Sequence, residues 1–204
     1  ILRDLVRGLG HAHARGVIHG DVKPDNVLFR EPGGRGDAVL VDYGVATHTD
    51  EEAILATGGT PDYMSPERLR GEPVDGRSDF YSLGMVLHEM LTGHLPQRDP
   101  RDPTALDLQP LPDRARWLQP LLETLLASDP ADRPANARAL LTMLGSLEAA
   151  SPEAAGLAPS EAGLAPAPQV RGLRTPQAWW PGQRRVVPAL LGLIVVLWLV
   201  WLWW

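Results

Sequence analysis

The chain has 204 residues, 19 basic and 25 acidic side chains, a formal net charge of −6 and no cysteine. That length allows one domain plus an appendage. The missing cysteines exclude a disulfide scaffold, thiolate zinc sites and a thiol nucleophile, and the acidity argues against a nucleic-acid-binding surface.

Charge and tryptophan divide the chain in two. Residues 1–149 carry 15 basic and 23 acidic groups, whereas the remainder holds four Arg and two Glu. Six of the seven Trp follow position 178. Lys23 is the sole lysine, so chemistry that requires two is impossible within this sequence. The first residue is Ile rather than Met, which reads as a cut end.

Ile1–Arg15 places Ile1, Leu2, Leu5, Val6, Leu9 and Ala12 at helical spacing, and the pattern stops near Gly16. A polar loop, VIHGDVKPDN over 17–26, then leads into a short apolar run, Val27–Phe29. EPGGRGD over 31–37 is turn chemistry, and Ala38–Val41 reads as a second strand that delivers Asp42. This hairpin is flanked by Asp21, Asn26 and Asp42, so three oxygen-bearing side chains converge. Two carboxylates and an amide suit a hard divalent ion such as Mg²⁺. Phe80, Leu83, Val86, Leu87, Met90 and Leu91 form the apolar face of a helix running to Thr92, with Gly93 as its stop. Trp117–Leu126 and Ala139–Leu147 are helical core segments of the same kind.

Residues 149–183 are rich in Ala, Pro and Gly and contain a short near-repeat, EAAGLAP then EAGLAP. Their prolines forbid a long regular helix, so this is a disordered tether. Val186–Trp204 contains no charged residue, and at about 1.5 Å per residue a helix of that length spans a bilayer core. Trp179, Trp180, Trp201, Trp203 and Trp204 supply aromatic belts, and Arg184 and Arg185 mark the cytoplasmic end.

Six segments, in order, resemble the large lobe of a protein kinase. His19-Gly20-Asp21 with Asn26 is similar to the catalytic loop, and Asp42-Tyr43-Gly44 to the magnesium-binding DFG element. Gly59-Thr60-Pro61-Asp62-Tyr63-Met64 followed by Ser65-Pro66-Glu67 resembles the end of the activation segment in serine/threonine kinases. Ser78–Gly84 resembles the start of the lobe's central helix, and Asp132-Arg133-Pro134 its late arginine segment. The resemblance implies ATP and Mg²⁺ as cofactors and protein Ser/Thr hydroxyls as acceptors. It implies that Asp21 orients the hydroxyl and accepts its proton, while Lys23 sits beside the transferred phosphate. Asn26 and Asp42 would hold Mg²⁺, Gly44 would let the chain turn, and Thr60 would line the substrate groove. The remaining matches are structural. Glu67 and Arg133 would form a buried ion pair, Asp79 would accept backbone N–H groups of the catalytic loop, and His19 would be packed core rather than a base.

The resemblance thus implies a mainly α fold: a kinase C-terminal lobe over 1–148 with a short β-hairpin, a linker over 149–183 and one transmembrane helix over 184–204. No G-x-G-x-x-G occurs and the sole lysine is already used, so the small lobe is expected to be absent and these 204 residues inactive by themselves. Kinase, tether and span together resemble bacterial membrane-anchored receptor-type Ser/Thr kinases. The expected place is the cell membrane, single-pass, with the kinase part cytoplasmic; protein substrates and a second copy of the chain are candidate partners, and nucleic acid is not. The alternatives are a pseudokinase acting as a membrane-tethered binding module and, less well matched, a small-molecule phosphotransferase. One departure from the family stands out. Gly20 stands where many kinases have the Arg that pairs with a phosphorylated activation segment, and no Lys or Arg lies between Asp42 and Glu67. Phosphorylation of Thr47, Thr49 or Thr57 is therefore not expected to activate by that pairing.

Overall fold

The structure, a computed structural model, describes residues 1–31, 35–43, 47–48, 60–99 and 101–152. Gly44, Thr49, Thr57, most of the expected linker and the whole expected span lie outside the described residues. Among the described residues no helix is long and apolar enough to cross a membrane.

Helix α1 covers Leu2–His13, and buries Leu5, Val6, Leu9 and Ala12 as its spacing predicts. The turn after it closes on Gly16 at φ 71°, a left-handed conformation that costs glycine least. Strand β1 (Val17–Ile18) then pairs antiparallel with β4 (Thr47–His48). Strands β2 (Val27–Glu31) and β3 (Arg35–Leu40) form the expected hairpin, with Val27 opposite Leu40. Both run further into the expected turn than composition suggested, with a register irregularity between Phe29 and Glu31. Residues next to a turn gain a cross-strand partner for their backbone groups, and propensity alone does not register that gain.

A four-residue helix α2 (Pro66–Leu69) precedes the long helix α3 (Gly76–Thr92), which Asp75 caps by accepting from the Arg77 N–H at 2.7 Å. Gly93 ends α3 at φ 84° with its N–H on the Glu89 carbonyl. A second hairpin, β5 (Gln97–Asp99) with β6 (Asp102–Asp107), was not anticipated. Helix α4 (Gln119–Leu125) follows a 3₁₀ turn at Asp113–Leu118, and α5 (Ala137–Ala149) is capped by Asn136 accepting from Ala139 N–H at 3.0 Å.

The sequence predicted one apolar face on α3, but the structure buries the helix all round from Ser78 to His88. Phe80, Tyr81, Leu83, Met85, Val86 and Leu87 share a core with Leu121, Leu122 and Leu125 of α4 and Leu5, Val6 and Leu9 of α1. Each fully buried side chain of this size contributes about 1.5–3 kcal/mol against exposure. Two buried serines of α3 find partners in neighbouring segments. Ser82 donates to the Tyr63 carbonyl at 2.8 Å, and Ser78 donates to Glu67 at 2.5 Å. Gly84 allows the close approach of α4: a Cβ there would lie 2.9 Å from Leu126 Cδ2 and 3.0 Å from Leu125 Cβ. At the α1–α5 crossing a Cβ on Gly10 would stand 2.6 Å from Ala137 Cβ. The result is a mainly helical lobe whose central helix carries the floor of the site described next.

Candidate active site

The loop between β1 and β2 holds most of the candidate residues, and its shape is set from below by Asp79. That carboxylate is 1% exposed and accepts the backbone N–H groups of His19 and Gly20, each at 2.9 Å. It also meets His13 Nε2 of α1 at 2.7 Å. Gly20 takes φ 76°, in the left-handed region, and its carbonyl accepts from the guanidinium of Arg68 on α2.

His19 is fully buried, with both ring nitrogens engaged. Nδ1 lies 3.2 Å from the Asp21 N–H and must accept, so the proton resides on Nε2, which donates to the Val41 carbonyl at 3.2 Å. Burial keeps its pKa below the ordinary histidine value against the raising effect of Asp79 and other neighbours. The ring also rests 4.4 Å from that of Tyr43. This geometry suits a spacer between loop and β3, with no nitrogen available for proton transfer.

Asp21 projects from this platform. Its Oδ1 accepts the Thr60 N–H at 2.9 Å and its Oδ2 accepts the Lys23 ammonium at 2.6 Å. Lys23 also donates to the Thr60 hydroxyl at 2.8 Å, closing a triangle of three residues. Burial alone would raise the Asp21 carboxyl, but the Lys23 ammonium and the Thr60 contacts outweigh it and hold the pKa below the usual carboxylate range. The side chains of Asp21 and Lys23 remain 12% and 21% exposed, so the pair opens to solvent.

Asn26 anchors the far end of the loop. Its side-chain amide donates to the Asp21 carbonyl at 2.8 Å and approaches Asp21 Oδ2 at 3.3 Å. Its own carbonyl accepts from Val41 N–H at 2.9 Å, which extends the β2–β3 register by one step and sets Asn26 beside the residue preceding Asp42. Asp42 itself adopts φ 65°, unusual for a residue with a side chain and worth a functional explanation. With the Asn26 amide N–H groups turned to Asp21, its side-chain oxygen is the donor left for a cation. One amide oxygen and one carboxylate at one end of a hairpin are hard ligands that leave positions for phosphate and water. Among the described residues no cluster of three or more His, Asp or Glu assembles a full metal cage. The two hard oxygen ligands of Asn26 and Asp42 fit a Mg²⁺ site of the phosphate-sharing kind.

Away from the opening, Arg133 and Glu67 form a bidentate pair at 2.7 and 2.8 Å, 0% and 3% exposed respectively. Ser78 completes the Glu67 shell, and the carbonyls of Ala127, Arg77 and Ser128 complete that of Arg133. The Arg133 guanidinium also lies 4.9 Å from the centre of the Tyr81 ring. Burial pushes the Glu67 carboxyl up, but Arg133 and Ser78 bring it below the ordinary value.

Comparison with known families matches residues 1–143 to the protein kinase domain. The chain belongs to the protein kinase family. The serine/threonine-protein kinase pkn3 of Myxococcus xanthus is 37% identical over 168 residues, covering 72% of this chain and 31% of the relative. PknL of Mycobacterium tuberculosis (strain ATCC 25618 / H37Rv) is 42% identical over 99 residues, 47% of this chain and 24% of the relative. A probable serine/threonine-protein kinase PknB of Corynebacterium glutamicum is 32% identical over 166 residues, 72% of this chain and 25% of the relative. The chain thus spans a third or less of each of these kinases.

Within this kinase domain the structure gathers Asp21, Lys23, Asn26 and Thr60 by direct contact, and Asp42 follows Val41, whose N–H meets the Asn26 carbonyl just past the end of β3. Glu67 and Arg133 form a separate centre. Two participants had no sequence signal. His13 sits among helical residues, and Arg68 lies in a four-residue helix where a charged side chain is ordinarily solvated. Only the fold shows that Arg68 reaches the loop carbonyl of Gly20 and that His13 meets the Asp79 carboxylate beneath the loop.

Proposed function

We propose that this chain is the catalytic large lobe of a serine/threonine protein kinase that transfers the γ-phosphoryl group of Mg-ATP to protein hydroxyls. The observation that carries the reading is the Asp21–Lys23–Thr60 triangle. Thr60 N–H, Lys23 and the longer contact from the Asn26 amide engage Asp21, and its remaining acceptor capacity can take one more donor, a substrate hydroxyl. Asp21 takes the hydroxyl proton as its oxygen bonds to phosphorus and the bond to the leaving diphosphate breaks. Lys23, tethered at both ends, keeps a positive charge beside the group in transit. Asn26 and Asp42 would hold Mg²⁺, which neutralises phosphate charge when bound. Thr60, bonded to both partners, positions the acceptor chain against Asp21.

The same reading assigns residues 149–183 to a tether and 184–204 to a single membrane span, with the kinase part cytoplasmic. Support comes from the uncharged run Val186–Trp204, its flanking Trp residues and the Arg184-Arg185 pair. The test is phosphotransfer by the full-length protein from labelled ATP to Ser- and Thr-containing peptides. Mg²⁺-dependent labelling that disappears in Asp21→Asn is the expected result. Labelling that survives both Asp21→Asn and Asp42→Asn overturns the assignment. Nucleotide binding without any transfer favours a pseudokinase. Deleting residues 184–204 should move the protein from the membrane fraction to the soluble one.

A further inference from the structure

We infer that Arg68 is a positioning residue that locks the catalytic loop to the end of the activation segment, and that this lock makes loop geometry independent of activation-segment phosphorylation. The inference rests on the kinase reading above and names how that site is regulated.

Three observations converge on it. First, Arg68 donates from Nη1 to the carbonyl of Gly20, the residue immediately before Asp21. Second, Gly20 presents that carbonyl because it holds φ 76°, where a β-carbon would be strained, while its N–H is fixed on Asp79 at 2.9 Å. The peptide groups on either side of Gly20 are therefore pinned by different elements, one by α3 and the other by α2. Third, α2 cannot drift, because Glu67, the neighbour of Arg68, is clamped by Arg133 and Ser78. Arg68 is half-buried; burial opposes its charge, whereas the charges of Asp79 and Asp21 favour it. The guanidinium thus lies within the field of both carboxylates that define the loop.

The consequence follows from where the cation resides. A loop arginine at position 20 would need an external anion, such as a phosphate, to fix the segment. Here the cation sits on the segment and its acceptor is a backbone carbonyl of the loop, present at all times. No Lys or Arg lies between Asp42 and Glu67 to receive a phosphate. The tie is already made in the unmodified chain.

The experiment uses the full-length protein, phosphatase-treated, with amide hydrogen exchange and steady-state phosphotransfer measured on the same samples. Arg68→Ala should accelerate exchange at His19 and Gly20, and lower kcat at least tenfold with KM for ATP within twofold. Arg68→Lys, which keeps one donor and the charge, should recover part of both. Arg70→Ala, on the same turn but bonded to Thr104 in β6, should leave both within twofold of the starting protein. Unchanged exchange at His19 and Gly20 in Arg68→Ala overturns the lock. Equal loss in Arg68→Ala and Arg70→Ala also overturns it, since that pattern means general loosening of α2. Activity in the wild-type protein that disappears on phosphatase treatment overturns the phosphorylation independence. If the wild-type protein transfers no phosphate, the kinase reading fails, and the exchange comparison still decides whether Arg68 holds the loop.

Discussion

Two of the carboxylate–cation pairs in this lobe are built for opposite purposes. Glu67–Arg133 is closed: both side chains are almost wholly buried and the guanidinium is surrounded by carbonyl and carboxylate acceptors. Asp21–Lys23 is open, with both side chains partly exposed and acceptor capacity left on the carboxylate. The chemistry of the groups is alike, so the difference comes from saturation and access. A saturated pair has nothing left to offer a substrate and acts as an anchor. An unsaturated one at a surface opening is available for reaction.

The strongest way to break this comparison is Asp21→Asn. It should lower phosphotransfer by about 10²–10⁴-fold, the range for loss of a general base, with little change in the thermal midpoint. A large drop in stability with activity retained would place Asp21 among the anchors. Glu67→Ala should do the reverse and destabilise the lobe by about 3–5 kcal/mol, read by urea titration, because Arg133 would be left buried without its anion. Gly84→Val comes next, at about 1–3 kcal/mol, since the added carbons meet Leu125 and Leu126 where α3 and α4 touch.

The smallest effects are in pH. Glu67 has a lowered pKa in the fold, so its contribution is present above its ordinary value of 4.5 and is lost as pH falls through the folded value. His88 is fully buried, its Nδ1 on the His94 carbonyl at 2.9 Å, and burial lowers its pKa. The unfolded chain then takes up a proton below about pH 6.5 that the folded chain refuses, so stability declines as pH drops below that value. Urea midpoints measured from pH 7.5 down to pH 4 should show the decline from His88 and His19 first, and His88→Leu should remove part of it.

Short-range signals determined much of this protein on their own. Helical spacing in 1–15, the hairpin delivering Asp42 and the Gly93 stop of α3 each follow from local geometry, because side-chain direction repeats with the backbone period. The family, too, was legible, since its motifs around Asp21 and Asp42 are short contiguous runs. Tertiary structure alone decided the rest. That Gly10 and Gly84 are points of helix contact, that His13 meets Asp79 and that Arg68 reaches the catalytic loop all depend on partners 41–127 positions distant, and the burial of α3 on every side is likewise a matter of packing. Residues so far apart meet only after several elements have packed, and no local period encodes which side chain will be opposite which.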